Sequence, residues 1–186
     1  MLLAVSCGCA RSQPTALGAT AMPALDAIVS PPAGWRADPI KTDARSTHQT
    51  WISPTGQTAY GVIRFSLPFP LGRDIALWGF ISEMKRSEGD AALLKKYEDP
   101  QSGMLRFEAE GGLYRIDGII LTRGFRGWVA YSGLLREGQI LLDELALAVQ
   151  ARENTRFGLD RQDRAQGNTP ATAEDEPDRI ASPEPR

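Results

Sequence analysis

The sequence predicts an α+β domain, a largely antiparallel β-sheet flanked by helices on both faces as an α/β/α sandwich. Three observations lead there. Several runs alternate apolar and polar residues at period two, most clearly "MLRFEAEGG", where Leu105, Phe107 and Ala109 oppose Arg106, Glu108 and Glu110. Two longer segments instead carry apolar residues at helical spacing. The run "LYRIDGIILTRG" is apolar on both sides, with Tyr114, Ile116 and Ile120 on one and Leu113, Ile119 and Leu121 on the other. A strand of that kind needs cover on both faces.

The elements follow in order. "MLLAVSCGCARSQPT" runs from apolar to small residues and cysteine, then to polar residues. It resembles the lipobox of bacterial lipoproteins, and so makes Cys7 or Cys9 a lipidation site and residues 1–9 a shortened signal leader. No Lys or Arg precedes the cysteines, whereas a secretory signal has a basic start. Residues 10–30, rich in Ala, Thr, Ser and Pro, read as a tether. "PPAGW" opens a domain over residues 31–158, with Trp35 as its first large anchor. "THQTWIS" and "TAYGVIRFSL" flank "PTG" as a hairpin. "GRDIALWGFISEMKRSEG" sets Ile75, Trp78 and Ile81 three apart, and reads as a helix buried along that line. Gly89 and Asp90 break it, and "AALLKKYEDP" becomes an edge strand. Three β-rich runs follow, the last two joined around Gly124–Gly127. "EGQILLDELALAVQARENTRFG" places Leu141, Leu145, Ala148, Val149 and Arg152 on one helical face and ends at Gly158. Residues 159–186 hold Ile180 as almost their only large aliphatic residue and read as a disordered acidic tail.

Charge narrows the function. Residues 34–158 carry 16 Lys+Arg against 15 Asp+Glu, so no overall field gathers polyanions. Both cysteines fall in the first ten residues, which leaves the domain with no thiol nucleophile, disulfide or thiolate metal site. The run "RGFRGWVAYSG" is spelled almost like an RNA-recognition strand. An extra Arg126 spoils it: Phe125 and Trp128 are three apart and alternate faces in a regular strand, whereas base stacking needs both rings on one face. Trp128 and Tyr131 therefore read as packing residues, and no nucleic-acid partner is expected.

The residues able to do chemistry are few. His48 is the only histidine, in "STHQTW", with no nucleophile and orienting acid assigned beside it. Glu108 and Glu110 sit two apart on one strand face, within the separation retaining glycosidases use, yet they alternate with inward Leu105, Phe107 and Ala109, so solvent exposure explains them. Asp143 and Glu144 suit the first turn of the last helix. "AEGGLYR" has glycines but no helix after them, so no nucleotide loop is expected. No catalytic residue, metal or cofactor is assigned. Phe69, between prolines in "SLPFPLG", is a candidate partner contact; the plainer reading is that Phe69 or Leu71 staples the approach to the first helix.

The element order, with "PPAGW", "RFEAEGGLYRIDG", "RGWVAYSG" and "DELALAVQARENTRFG", resembles the PsbP-like fold family over residues 31–158. The resemblance implies an assembly or binding role: members include an extrinsic photosystem subunit, a partner of a small GTPase and bacterial envelope lipoproteins. None of the family's metal or partner residues has a matching motif here. The expectation is a non-catalytic lipoprotein of the bacterial envelope, lipid-anchored on the extracytoplasmic side, that binds a protein partner. The alternatives are a hydrolase built on the carboxylates or His48, and a small-ligand carrier.

Overall fold

The computed structural model describes residues 18–70, 72–112, 114–135 and 140–159. Cys7, Cys9, most of the acidic tail, Leu71 and Leu113 lie outside the described residues. Among those described, no helix is long and apolar enough to cross a membrane.

The described residues form a largely antiparallel sheet with two helices. The elements are β1 (Thr20–Met22), β2 (Ala27–Val29), β3 (Arg36–Ala37), β4 (Lys41–Thr42), β5 (Ser46–Ile52), β6 (Thr58–Ser66), α1 (Arg73–Glu88), β7 (Ala91–Glu98), β8 (Leu105–Gly111), β9 (Tyr114–Arg123), β10 (Arg126–Leu135), α2 (Leu142–Glu153) and β11 (Arg156–Phe157). The large sheet runs β3-β5-β6-β10-β9-β8-β7, with β4 also on β5, and β1-β2-β11 form a small sheet. The expected hairpin is there: Ser46–Ile52 pairs with Thr58–Ser66 around Gly56, whose φ of 76° only glycine adopts freely. The edge strand is there too, since among the described residues β7 pairs only with β8.

β10 is central because both of its sides are apolar. Trp128 and Ala130 pack with Tyr60, Val62 and Ile119, together with Ala148 and Ala151 of α2. Val129, one residue out of phase, packs with Phe107 and Ile120, together with Ala76 and Leu77 of α1. Alternate residues of a strand lie on opposite faces, so these are two separate cores. Trp128 is 2% exposed and its Nε1–H donates to Leu25 O at 3.1 Å, which removes the ring from reach of a nucleobase. Phe125 stands instead at the tip of the β9–β10 turn, beside Gly124 at φ 58°.

Three expectations need correction. Residues 20–29 are not tether: they pair as β1 and β2, and Leu25, Ala27 and Val29 are buried with Trp128. Composition hid this, because small residues that look like linker are also what fits a close-packed second layer. The buried side of α1 is not Ile75–Trp78–Ile81. Ile75 and Trp78 are exposed, while Leu77 and Met84 are buried and Phe80 and Ile81 partly so. Steps of three residues fall about 60° short of a full turn each, so a line at that spacing drifts off any one face. Finally, the last helix ends at Asn154 rather than Gly158, because Arg156–Phe157 pair with Ala27–Ile28 as β11.

Candidate functional site

The residues with catalytic potential do not converge. His48 lies on β5 opposite Ile63 and Lys41, whereas Glu108 lies on β8. Four strand spacings separate them, roughly 19 Å. Glu108 is engaged by Arg115 at 3.2 Å and Lys95 at 3.8 Å. Glu110 shares its face, opposite to Phe107 as the alternation predicts. Asp143 and Glu144 occupy the first turn of α2, and Glu144 Oε2 accepts the Thr55 hydroxyl at 2.7 Å. Among the described residues, no group of three His, Cys, Asp or Glu is placed to hold a metal.

The densest polar cluster locks α2 to the sheet. Arg152 is 4% exposed, and its guanidinium reaches Asp117 Oδ2 at 2.7 Å, Glu153 Oε1 at 2.7 Å and Ser132 Oγ. Glu153 also takes two bonds from Arg106, at 2.6 and 2.7 Å. Those bonds, joined by Arg152, hold the Glu153 carboxyl down from 4.5 to about 2. Every group here is matched, so the cluster is a clasp with no vacant reactive position. The inward face predicted for Arg152 was legible; its partners on β9 and β10 were not, because they come from distant sequence.

Two surfaces stand out. The first is the outer side of α1 beside β7. Arg73 meets Glu98 at 2.9 Å and Asp74 meets Lys96, while Gly89 leads straight into Ala91. Helix and strand therefore run antiparallel. One turn beyond Asp74 on the same helix side comes Trp78. Trp78 is 73% exposed and Leu93, Leu94 and Tyr97 are exposed too. β7 is bulged between Leu93 and Lys95.

The second surface is one end of the large sheet. Leu67 N–H donates to Phe125 O at 2.8 Å, so the Phe69 loop and the β9–β10 tip are joined there. Leu67 is buried, whereas Phe69 is 57% and Phe125 61% exposed, so Phe69 is not a staple. Asp26, at φ 51°, receives Arg126 at 3.0 Å and Leu159 N–H at 3.1 Å, and these contacts fasten the β1–β2 turn to this end. Asp26, Arg123, Phe125 and Arg126 line an open depression of about 480 Å³ with Trp128, Gly158 and Leu159. Arg45, Arg64, Ser46, Thr47 and Ser66 line a notch of about 90 Å³ with Asp43. Sequence reasoning found Phe69 but missed the arginines, which lie far apart in the chain.

No family model and no curated protein sequence matches the chain. Among solved structures, the solution structure of cyanobacterial PsbP (CyanoP) from Synechocystis sp. PCC 6803 aligns over 82% of this chain and 98% of its own, with a TM-score of 0.55 at 11% identity. A structure from Bacteroides thetaiotaomicron aligns over 80% of this chain and 50% of its own, at 13% identity and a TM-score of 0.35, and adds nothing to the assignment. The first likeness covers most of the chain, and the chain has a PsbP-like α+β fold.

Proposed function

We propose that this chain is a non-catalytic binding or assembly domain of the PsbP-like kind, with α1 and α2 as the outer layers on opposite faces of the sheet. In this reading it is tethered to the bacterial envelope by a lipid on Cys7 or Cys9 and engages a protein partner through the α1–β7 side. One observation carries the docking surface: Trp78 stands 73% exposed next to an open sheet edge. A bare tryptophan is costly to leave in water, and Trp is enriched among residues that dominate protein interfaces. The scatter of His48, Glu108 and Glu110 supports the binding reading over the hydrolase.

Two measurements test it. A photo-crosslinking residue placed at position 78 in the full chain, expressed in its native membrane, captures one defined protein, whereas the same residue at Thr20 captures none. Equal labelling from both positions, or none from position 78, removes the docking surface. Mass spectrometry of the membrane-extracted N-terminus tests the anchor separately, and an unmodified Met1 in the soluble fraction removes that part.

A further inference from the structure

The end of the sheet that carries Phe69 and Phe125 has a charge pattern that the protein-docking side lacks. Four arginines gather there: Arg45 before β5, Arg64 on β6, Arg123 closing β9 and Arg126 opening β10. The registers bring them together, since Arg126 pairs with both Ser66 and Arg123, Trp128 with Arg64, and Ser66 N–H donates to Arg45 O at 2.8 Å.

Among the described residues two aspartates lie at this end, and they leave part of the charge of the four unmatched. Asp26 is buried against Arg126 and the backbone of Leu159. Asp43 accepts Ser46 Oγ and the backbone N–H groups of Arg45 and Ser46, each at 2.7 Å, and these bonds hold its carboxyl down at about 2. Its charge is thus turned toward its own turn. Among the described residues the side chains of Arg45 and Arg123 have no acidic partner, and the Arg64 guanidinium meets only Ala24 O at 3.3 Å. Both lining cavities are open and arginine-walled, and the smaller also presents the hydroxyl-bearing residues Ser46, Thr47 and Ser66.

We propose that this end rests on an anionic membrane surface, its arginines on headgroup phosphates and the Phe69 and Phe125 rings at the headgroup level. The chemistry of this end matches that occupant. Guanidinium forks suit phosphate oxygens, and basic residues near an anionic bilayer add favourable energy one by one. Exposed aromatic rings beside them favour an interface with one apolar and one wet side. A neutral polar partner would leave the surplus positive charge unmatched. The inference extends the tether reading but does not depend on lipidation, because its test uses unlipidated protein.

The experiment is sedimentation of the full-length chain, with Cys7 and Cys9 replaced by Ser, on large vesicles. One set is phosphatidylcholine alone, the other holds about 30% phosphatidylglycerol at low salt. The wild-type chain binds the anionic set, less so at high salt, and leaves the neutral set unbound. Arg45→Glu with Arg123→Glu lowers the partition roughly tenfold or more. The charge-matched control Lys85→Glu with Arg86→Glu, in the last turn of α1, changes it far less. Phe69→Ser with Phe125→Ser weakens binding without altering net charge. Melting curves confirm that each variant is folded; should the arginine pair fail that check, Arg45→Gln with Arg123→Gln takes its place. The proposal is overturned if wild type ignores anionic vesicles at low salt. It is equally overturned if the control pair loses as much as the arginine pair, which would leave net charge as the whole effect. Unchanged partition on charge reversal would assign the arginines to a different occupant, such as an acidic protein.

Discussion

The two faces of the large sheet are filled by different means. Under α1, three aromatic rings lie across glycines directly opposite them on neighbouring strands: Phe107 over Gly118, Tyr131 over Gly61 and Phe65 over Gly127. Cover there is largely local, one strand lending its neighbour the side chain it lacks. On the α2 face the rings stack on one another instead, Trp51 on Tyr60 at 5.0 Å and Trp128 on Phe157 at 6.2 Å. That face is closed by the two extremities of the described chain. Leu25 O takes the Trp128 indole, and the Tyr60 hydroxyl meets Thr155 Oγ1 at 2.6 Å. Cross-strand pairing can therefore close one face early, while the other waits for β1, β2 and β11 to arrive. Contacts distant in sequence carry the larger loop-closure cost.

The largest effect expected is from Trp128→Ala, which removes a buried ring and the hydrogen bond that seats the β1–β2 hairpin. It should cost about 3–5 kcal/mol in a urea titration. Proteolysis within residues 18–30 should rise with it, and protection of that segment despite the loss would break the idea that the hairpin depends on the α2 face. Next comes Gly118→Ala. Its Cβ would stand 2.4 Å from the Phe107 ring, so the ring must move, at about 1–3 kcal/mol. Adding Phe107→Leu should give less than the sum of the two single losses, and strict additivity would show that ring and glycine are not coupled.

Arg152→Ala should cost about 1–3 kcal/mol, because Asp117 is half hydrated and Glu153 keeps its two bonds from Arg106. Arg152→Met should cost less, since the stem keeps its packing. A Met variant as weak as the Ala variant would mean that charge, not packing, holds α2 down. The pH dependence is smaller again. Glu153 titrates at 4.5 when unfolded and about 2 when folded, so its contribution is intact above pH ~4.5 and fades as pH falls toward 2. Melting temperature should decline across that window, and Glu153→Gln should flatten the decline; an unchanged slope would put the acid sensitivity elsewhere. Smallest is Trp78→Ser, within about 0.5 kcal/mol of wild type, as suits an exposed ring. A large loss would move Trp78 into the core.

Alternation was the most informative sequence signal. Leu105–Phe107–Ala109 and the split of Ile116 and Ile120 from Ile119 and Leu121 land on the faces expected, because a strand allows only two. Helical faces were harder. In α2, Ala148 and Arg152 point inward as expected, but in α1 the apolar residues cover more of the circumference than one sheet can bury. The arc that turns in is the one that meets the sheet's own rings: Phe80 packs edge-on against Phe107 of β8 at 5.4 Å. Of the exposed residues at the arginine end, only Phe69 had a local cue, the two prolines around it.

The amino-acid sequence alone determined the class of the domain, its central strand and its uncovered edge, since these follow from periodicity and turn chemistry within short windows. Tertiary structure decided that Ala27 and Val29 are core rather than linker, that Trp78 faces water, and that Arg45, Arg64, Arg123 and Arg126 meet. Those outcomes depend on which distant segments become neighbours, and strand register, which no short window contains, is what makes them so.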